Sequence, residues 1–239
     1  YVSLEGQSQN SVILNAEQTA HVINVIEVSH ATISNLTIKG GYALSGAGIH
    51  FDHANINVSN LTITENNALE HGGGISSMWS DIQLTGITIS NNIAMMGGGV
   101  FSDFTMLTIE NSIIKNNTAT ELAGGIMAND SEIIFSDADG NRSSLFSNEV
   151  GGFRGNGADI SIIYYNFDYG IVDLVLDTFT VMIPTDYYAS PIEEFTYDIL
   201  HSIISDTVQA QADLYVSPDG DNYNSGLTPE DPLKTIRYA

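Results

Sequence analysis

The feature that most narrows what this chain can fold into is a unit of about 25 residues that recurs along most of its length. Alternating apolar pairs stand at Ala31 and Ile33, Ile56 and Val58, Ile82 and Leu84, Leu107 and Ile109, Ile133 and Phe135, and Ile160 and Ile162. Subtracting their first members gives steps of 25, 26, 25, 26 and 27. A second pair follows each of the first four: Leu36 and Ile38, Leu61 and Ile63, Ile87 and Ile89, Ser112 and Ile114. Alternation with a period of two marks a strand with one buried face. Between the strand pairs sit glycine turns, GAGI at 46–49, GGGI at 72–75, GGGV at 97–100 and AGGI at 123–126. Asparagine pairs follow the second strand at Asn66 and Asn67, Asn91 and Asn92, and Asn116 and Asn117, spaced 25 and 25. Asparagine tolerates left-handed turns, and stacked amides form ladders.

Units this short cannot close as separate domains, so each is read as one coil of a solenoid. Stacking places equivalent residues about 4.8 Å apart, which predicts one interior column of Ile33, Val58, Leu84, Ile109, Phe135 and Ile162. A leucine-rich repeat would need an L-x-x-L-x-L run with a helical half, and the chain has none. The expectation is an all-β parallel β-helix of about six to seven coils over residues 1–167. A polar insert, SDADGNRSSLFSNEV, lengthens one loop after Phe135. Residues 168–212 lose the repeat; Phe195, Tyr197 and Ile199 alternate as a strand, while Ser190-Pro191-Ile192-Glu193 fits a helix-start capping box. Strands are the preferred reading, as a small β connector that caps the open sheet edge of the last coil.

The chain carries 29 Asp and Glu against 6 Lys and Arg, a formal charge of -23. Nucleic acid is excluded as a partner on that balance, and anionic polymers are repelled unless divalent cations bridge them. Calcium is the ion this composition brings forward; no cofactor is required. The absence of cysteine removes disulfides, thiolate metal sites and a Cys nucleophile. No apolar run approaches the roughly 20 residues of a membrane helix, and residues 1–20 show no signal-peptide pattern, so any export signal is expected outside this segment.

The units HGGGISSMWSDIQLTGITISNN and MGGGVFSDFTMLTIENSIIKNN resemble the pectate-lyase-like right-handed β-helix superfamily, most of all its polymorphic outer-membrane-protein and adhesin-type repeats. That resemblance covers about residues 20–165 and implies a right-handed, single-stranded helix in an extracellular or cell-surface protein. Residues 214–239, LYVSPDGDNYNSGLTPEDPLKTIRYA, are similar to the opening segment of secreted β-helix proteins, some polysaccharide lyases among them. Residues 213–239 are therefore expected to begin a following module of a tandem array.

A lyase of this superfamily would use Lys or Arg as its base. Lys39 and Lys115 share a column but stand three coils, about 14 Å, apart. Arg142, Arg154, Lys234 and Arg237 sit beside no evident carboxylate cluster. A glycoside hydrolase needs two carboxylates roughly 5–5.5 Å or 6.5–9.5 Å apart. Asp52 and Asp103, two coils apart in one column at about 10 Å, are the catalytic candidates, with His50 and His53 beside Asp52. Trp79, the only tryptophan, is the candidate sugar platform. Asp219, Asp221, Asn222 and Asn224 form an oxygen-rich loop that serves either as a calcium site or as an Asx-rich turn; Tyr223 at the fifth place departs from the EF-hand pattern. The histidines show no zinc-binding spacing. The chain thus reads as a non-catalytic structural or adhesive repeat module, facing a polysaccharide, a cell-surface glycan or neighbouring modules, with no membrane insertion. The alternative is a polysaccharide lyase or glycoside hydrolase on the same fold.

Overall fold

A computed structural model describes residues 3–138, 140–151, 157–167, 169–204, 215–220 and 228–234. The chain forms an all-β parallel β-solenoid of about eight turns. It divides into two compact units, Tyr1–Ser205, which holds the solenoid, and Asp206–Ala239.

Each regular coil contributes four strand segments. The first runs through Ala31–Ser34, Asn55–Ser59, Asp81–Thr85, Met106–Glu110 and Glu132–Ser136, in unbroken parallel register. The second stacks Leu36–Lys39, Leu61–Thr64, Thr88–Ser90, Ile113–Lys115 and Ser144–Phe146. The third forms a five-stranded sheet through Tyr42–Ser45, Asn67–His71, Ile93–Met96, Thr118–Leu122 and Glu149–Val150. The fourth stacks Ile23–Ile26, Ile49–Asp52, Ile75–Met78, Val100–Asp103, Ile126–Asn129, Ile160–Ile163 and Ala189–Ser190. Period-two alternation sends one residue in two inward, so Ile33, Val58, Leu84, Ile109 and Phe135 stack as one buried column.

The expected sixth member of that column lies elsewhere. Ile162 pairs with Ala128 on the fourth strand, and Gly157–Ile160 is the glycine turn of the last regular coil. The polar insert displaced the repeat, and a spacing of 27 hid the change of strand. The asparagine pairing also shifts, because Asn66 aligns with Asn92 and Asn117, not with Asn91 and Asn116.

Four corners close the coil, each turned by a residue of positive φ. They are Asn35, Asn60, Gly86 and Asn111 after the first strand, and Glu65, Asn91, Asn116 and Ser147 after the second. Gly46, Gly72, Gly97, Ala123 and Gly157 follow the third strand, and Glu27, His53, Trp79, Phe104 and Asp130 the fourth. One left-handed residue bends the chain from one strand into the next within a single step, which is why the sequence needs so few turn residues.

The second corner holds a buried amide ladder. Asn66 Nδ2 donates to Asn92 Oδ1 at 2.9 Å, Asn92 Nδ2 to Asn117 Oδ1 at 3.0 Å, and Asn117 Nδ2 to Asn148 Oδ1 at 3.0 Å. Each Oδ1 also accepts the backbone N–H of the preceding rung, and each Nδ2 also donates to a carbonyl one coil back. Both hydrogen-bonding ends of every amide are therefore engaged. A shorter hydroxyl ladder, Ser80, Thr105 and Ser131, does the same work beneath the fourth corner.

Beyond the repeat the solenoid continues. Val172–Val181 pairs in parallel with the second strand at Ser143–Leu145, and Phe195–Ile204 pairs with Val172–Val181. These strands lie in the same compact unit as the coils, and they extend the turn count past the expected six to seven. The capping-box sequence yields only a three-residue 3-10 turn, Ile192–Glu194, with no side-chain cap.

Candidate functional site

The fourth corner carries the functional candidates. Its strand ends point outward as a column of Asp52, Met78, Asp103 and Asn129, set by the parallel register. Asp52 and Asp103 are thus separated by a whole strand bearing Met78, about 10 Å at the inter-strand spacing. Each is tied to a different neighbour: Asp52 Oδ1 lies 2.7 Å from His53 Nδ1, and Asp103 Oδ1 accepts Asn129 Nδ2 at 2.6 Å. Burial pushes the Asp103 pKa up and Asp130 adds to this, against the Asn129 hydrogen bond and the attraction of His71.

His50 points outward from the same strand as Asp52, its ring 5.5 Å from that of His21. Burial, then His21, lower its pKa, with Asp52 opposing. His50 Nδ1 and Ser76 Oγ, on adjacent strands, and Asn129 Oδ1 are buried without hydrogen-bond partners. His71 lies over the edge of this strip, 3.3 Å from Ser45 Oγ and with its ring 4.3 Å from that of Phe101. Among the described residues no three His, Asp or Glu side chains converge as metal ligands, and no helix is long and apolar enough to cross a membrane.

Just beyond these strand ends runs a stack of rings. Trp79 lies parallel to Phe104, centroids 4.0 Å apart and planes at 0°, with His53 on its other side at 6.4 Å. One face of Trp79 is therefore already covered by a ring. Phe167 stands at 87° to Phe104, 6.1 Å away, and contacts Tyr169 in turn. Trp79, Phe167 and Tyr169 are all exposed. A groove of about 430 Å³ borders the stack, lined by His53, Asn55, Trp79, Asp81 and Phe104, with Asn55 Nδ2 donating to Asp81 Oδ2 at 3.0 Å.

Asp130 occupies the next place in the corner column and ends the stack. Its covered carboxylate accepts the N–H groups of Tyr165, Asn166 and Phe167 at 2.8, 2.8 and 3.1 Å, and Asn166 Nδ2 at 2.6 Å. Burial alone would raise its pKa, but the Asn166, Phe167 and Tyr165 hydrogen bonds outweigh that and hold it low. The charge stays on Asp130 and pins the loop that brings Phe167 onto the rings.

Sequence reading singled out Asp52, Asp103, His50 and Trp79, which the structure places along this corner, and did not single out Phe104, Phe167, Tyr169 or Asp130. The signal lay in the corner column itself: His53, Trp79, Phe104 and Asp130 follow at steps of 26, 25 and 26. In the second unit Asp219 is exposed in a turn, its N–H held by Ser217 Oγ at 3.3 Å. Asp221, Asn222 and Asn224, the other expected calcium ligands, lie outside the described residues, as does Arg154. In comparisons with protein families, curated proteins and solved structures, nothing matches this chain.

Proposed function

We propose that this chain is a non-catalytic adhesive module of an extracellular repeat protein, and that its contact line is the ring stack at the fourth corner. One observation carries the reading: His53, Trp79 and Phe104 hold positive φ values of 50, 49 and 47° at successive corners. For bulky residues that backbone state is costly, on the order of 1–2 kcal/mol each, and asparagine or glycine serves most places at the other corners at less cost. Strain retained at three stacked places points to a use for the rings beyond turning the chain.

The fitting partner is a neutral glycan. Exposed aromatics beside amide and carboxylate acceptors suit sugar rings and hydroxyls, and a formal charge of -23 disfavours polyanions. The resemblance of the repeats to adhesin-type right-handed β-helices supports the same reading. The enzyme alternative has less support, since Asp52 and Asp103 stand a whole strand apart, at about the outer edge of the inverting separation, and are each bound to another side chain.

The test is retention of the purified chain on immobilised neutral and acidic polysaccharides, with and without calcium, recording bond cleavage alongside. Retention on a neutral polymer that Trp79→Asn and Phe104→Asn abolish is the expected result. Cleavage lost on Asp52→Ala or Asp103→Ala would sink the adhesive reading. Retention unaffected by either ring substitution would move the contact line elsewhere.

A further inference from the structure

The amide ladder ends on a residue that the repeat does not supply. After Asn148 the next coil offers no asparagine, and the place is taken by Asp159, only 11 residues later in the chain. Asp159 belongs to the third corner. It stands in the column of Gly48, Gly74, Gly99 and Gly125, as the carbonyl it offers to Ile126 N–H at 2.8 Å shows. A Cβ on Gly125 would lie 3.0 Å from Asn148 Nδ2, so each ladder amide rests directly over this column. The side chain that the column gains at Asp159 enters the site of the missing amide.

There it accepts what an asparagine oxygen would accept. Asn148 Nδ2 and Asn148 N–H donate to Asp159 Oδ1 at 2.9 and 3.2 Å. The other oxygen differs. In an asparagine it would be a donor nitrogen, whereas Asp159 Oδ2 is buried with no hydrogen-bond partner in a residue that is 0% exposed. An ionised carboxylate there would lie buried and half unsatisfied; a protonated one reproduces the amide's pattern of one acceptor and one donor.

Two terminal elements rest on this residue. Gly157, Ala158, Asp159 and Ile160 donate to the carbonyls of Asp186, Tyr187, Tyr188 and Tyr188 at 2.8, 2.6, 3.0 and 3.0 Å. Thr180, on Val172–Val181, accepts Ser147 N–H at 2.7 Å, and acts on the carboxyl without giving Oδ2 a hydrogen bond of ordinary geometry. Among the described residues Tyr188 is the titratable side chain coupled to Asp159, and no lysine, arginine or histidine contributes to its ionisation.

We propose that Asp159 is a proton-operated plug: protonated, it ends the asparagine ladder and holds the Asp186–Tyr188 turn and the strand Val172–Val181 on the last regular coil; ionised, it lets them loosen. Burial pushes the Asp159 pKa up to about 7, against the opposing influence of nearby Thr180 and the hydrogen bonds from Asn148. In the released segment the carboxyl returns to its ordinary value of 3.8. Between those values the docked form keeps a proton that the released form has lost, so rising pH favours release by up to about tenfold per pH unit. Below about pH 4 and above about pH 7 both forms carry the same charge and the dependence stops. This device is independent of the adhesive reading, since it concerns the other side of the coil.

The experiment is amide hydrogen exchange of Ala158 and Ile160 in the full chain at pH 5 and pH 8, corrected for intrinsic rates. Between about tenfold and about a hundredfold more opening at pH 8 is expected, and Asp159→Asn should flatten the profile. An unchanged profile in the native chain, or the same slope in the variant, overturns the proposal. Should the variant not fold, the carbon-13 shift of the Asp159 carboxyl in the native chain decides. A midpoint near neutrality supports the plug, and one in the ordinary carboxylate range overturns it.

Discussion

The second and fourth corners of the coil use the residues around a left-handed turn in opposite ways. At the second, Asn66, Asn92, Asn117 and Asn148, each just after the left-handed residue, point inward, are buried, and have both ends of each amide engaged. At the fourth, His53, Trp79 and Phe104 turn outward, pay for a left-handed backbone, and stack on one another at the surface. The first arrangement leaves no choice of residue, because a buried polar group without a partner is costly. The second leaves the choice free as far as folding is concerned. A corner where many residues would turn the chain but bulky rings do so is where selection for something other than stability shows.

Breaking the inward corner should cost most. Asn117→Ala removes the acceptor of Asn92 N–H and Nδ2 and the donor to Ile89 O and Asn148 Oδ1. Only the Asn92 N–H is left with no partner, while the other groups lose one of two. The expected loss is therefore about 3–5 kcal/mol, short of a full penalty for each broken bond. Urea unfolding followed by circular dichroism checks it. A loss under about 1 kcal/mol would mean that water enters the ladder and that its bonds are not what orders the coils.

Gly99→Ala tests the same corner from below. Its Cβ would come 2.7 Å from Gly125 O and 3.0 Å from Asn117 Nδ2, so either the backbone or the ladder must shift. The expected cost is about 1–3 kcal/mol, read from the same unfolding curves. If the loss comes from the ladder and not from backbone crowding, the double variant with Asn117→Ala will lose less than the sum of the two.

How much of this was legible in the sequence follows from what each corner demands. The inward columns announce themselves because only apolar, Gly or Asn residues fit, and so the repeat, the strands and an asparagine ladder could be read directly. Register was harder. The 25-residue spacing of Asn66 and Asn91 matched the repeat but not the structure, because the strand Asn67–His71 carries one residue more than its neighbours Tyr42–Ser45 and Ile93–Met96, and this moves the true partner to Asn92. Ile162 was misplaced for a similar reason, since the polar insert changed the phase while alternation alone cannot tell one strand of a coil from another. The ring stack was invisible for the opposite reason. His, Trp, Phe and Asp share no composition, only a position, so spacing alone marked the column and it became readable only once the fourth strand was in place. Asp159 hid within GNGADI, where it reads as an ordinary turn residue.

The outward corner should answer differently to substitution. Trp79→Asn gives up a stacked pair worth about 0.5–1.5 kcal/mol and relieves a left-handed backbone costing about 1–2 kcal/mol. The two nearly cancel, so stability should stay within about 1 kcal/mol of the native chain while retention on a neutral glycan falls. A destabilisation approaching that of Asn117→Ala would erase the distinction between the corners and make the rings a second structural ladder.

The smallest effect expected lies in the acid limb of the pH profile, and it runs against the Asp159 plug. Burial holds the pKa values of His50 and His71 below 6.5, with His21 adding to the effect at His50 and carboxylates opposing it at both. As pH falls below 6.5 the unfolded chain takes up protons that these folded rings refuse, so stability declines on that side. Asp159 gains over the same acid range, because the folded state keeps its proton where the unfolded state has released it. Asp159→Asn should therefore expose the histidine slope, with stability falling on acidification just below pH 6.5. His50→Gln added to that variant should shallow the slope, since the replacement does not titrate. If thermal unfolding between pH 5 and 7 shows no such slope once Asp159 is replaced, water reaches both rings. The unpartnered His50 Nδ1 beside Ser76 Oγ would then be solvated in the folded chain, and the strip alongside the ring stack would be wetter than its burial implies.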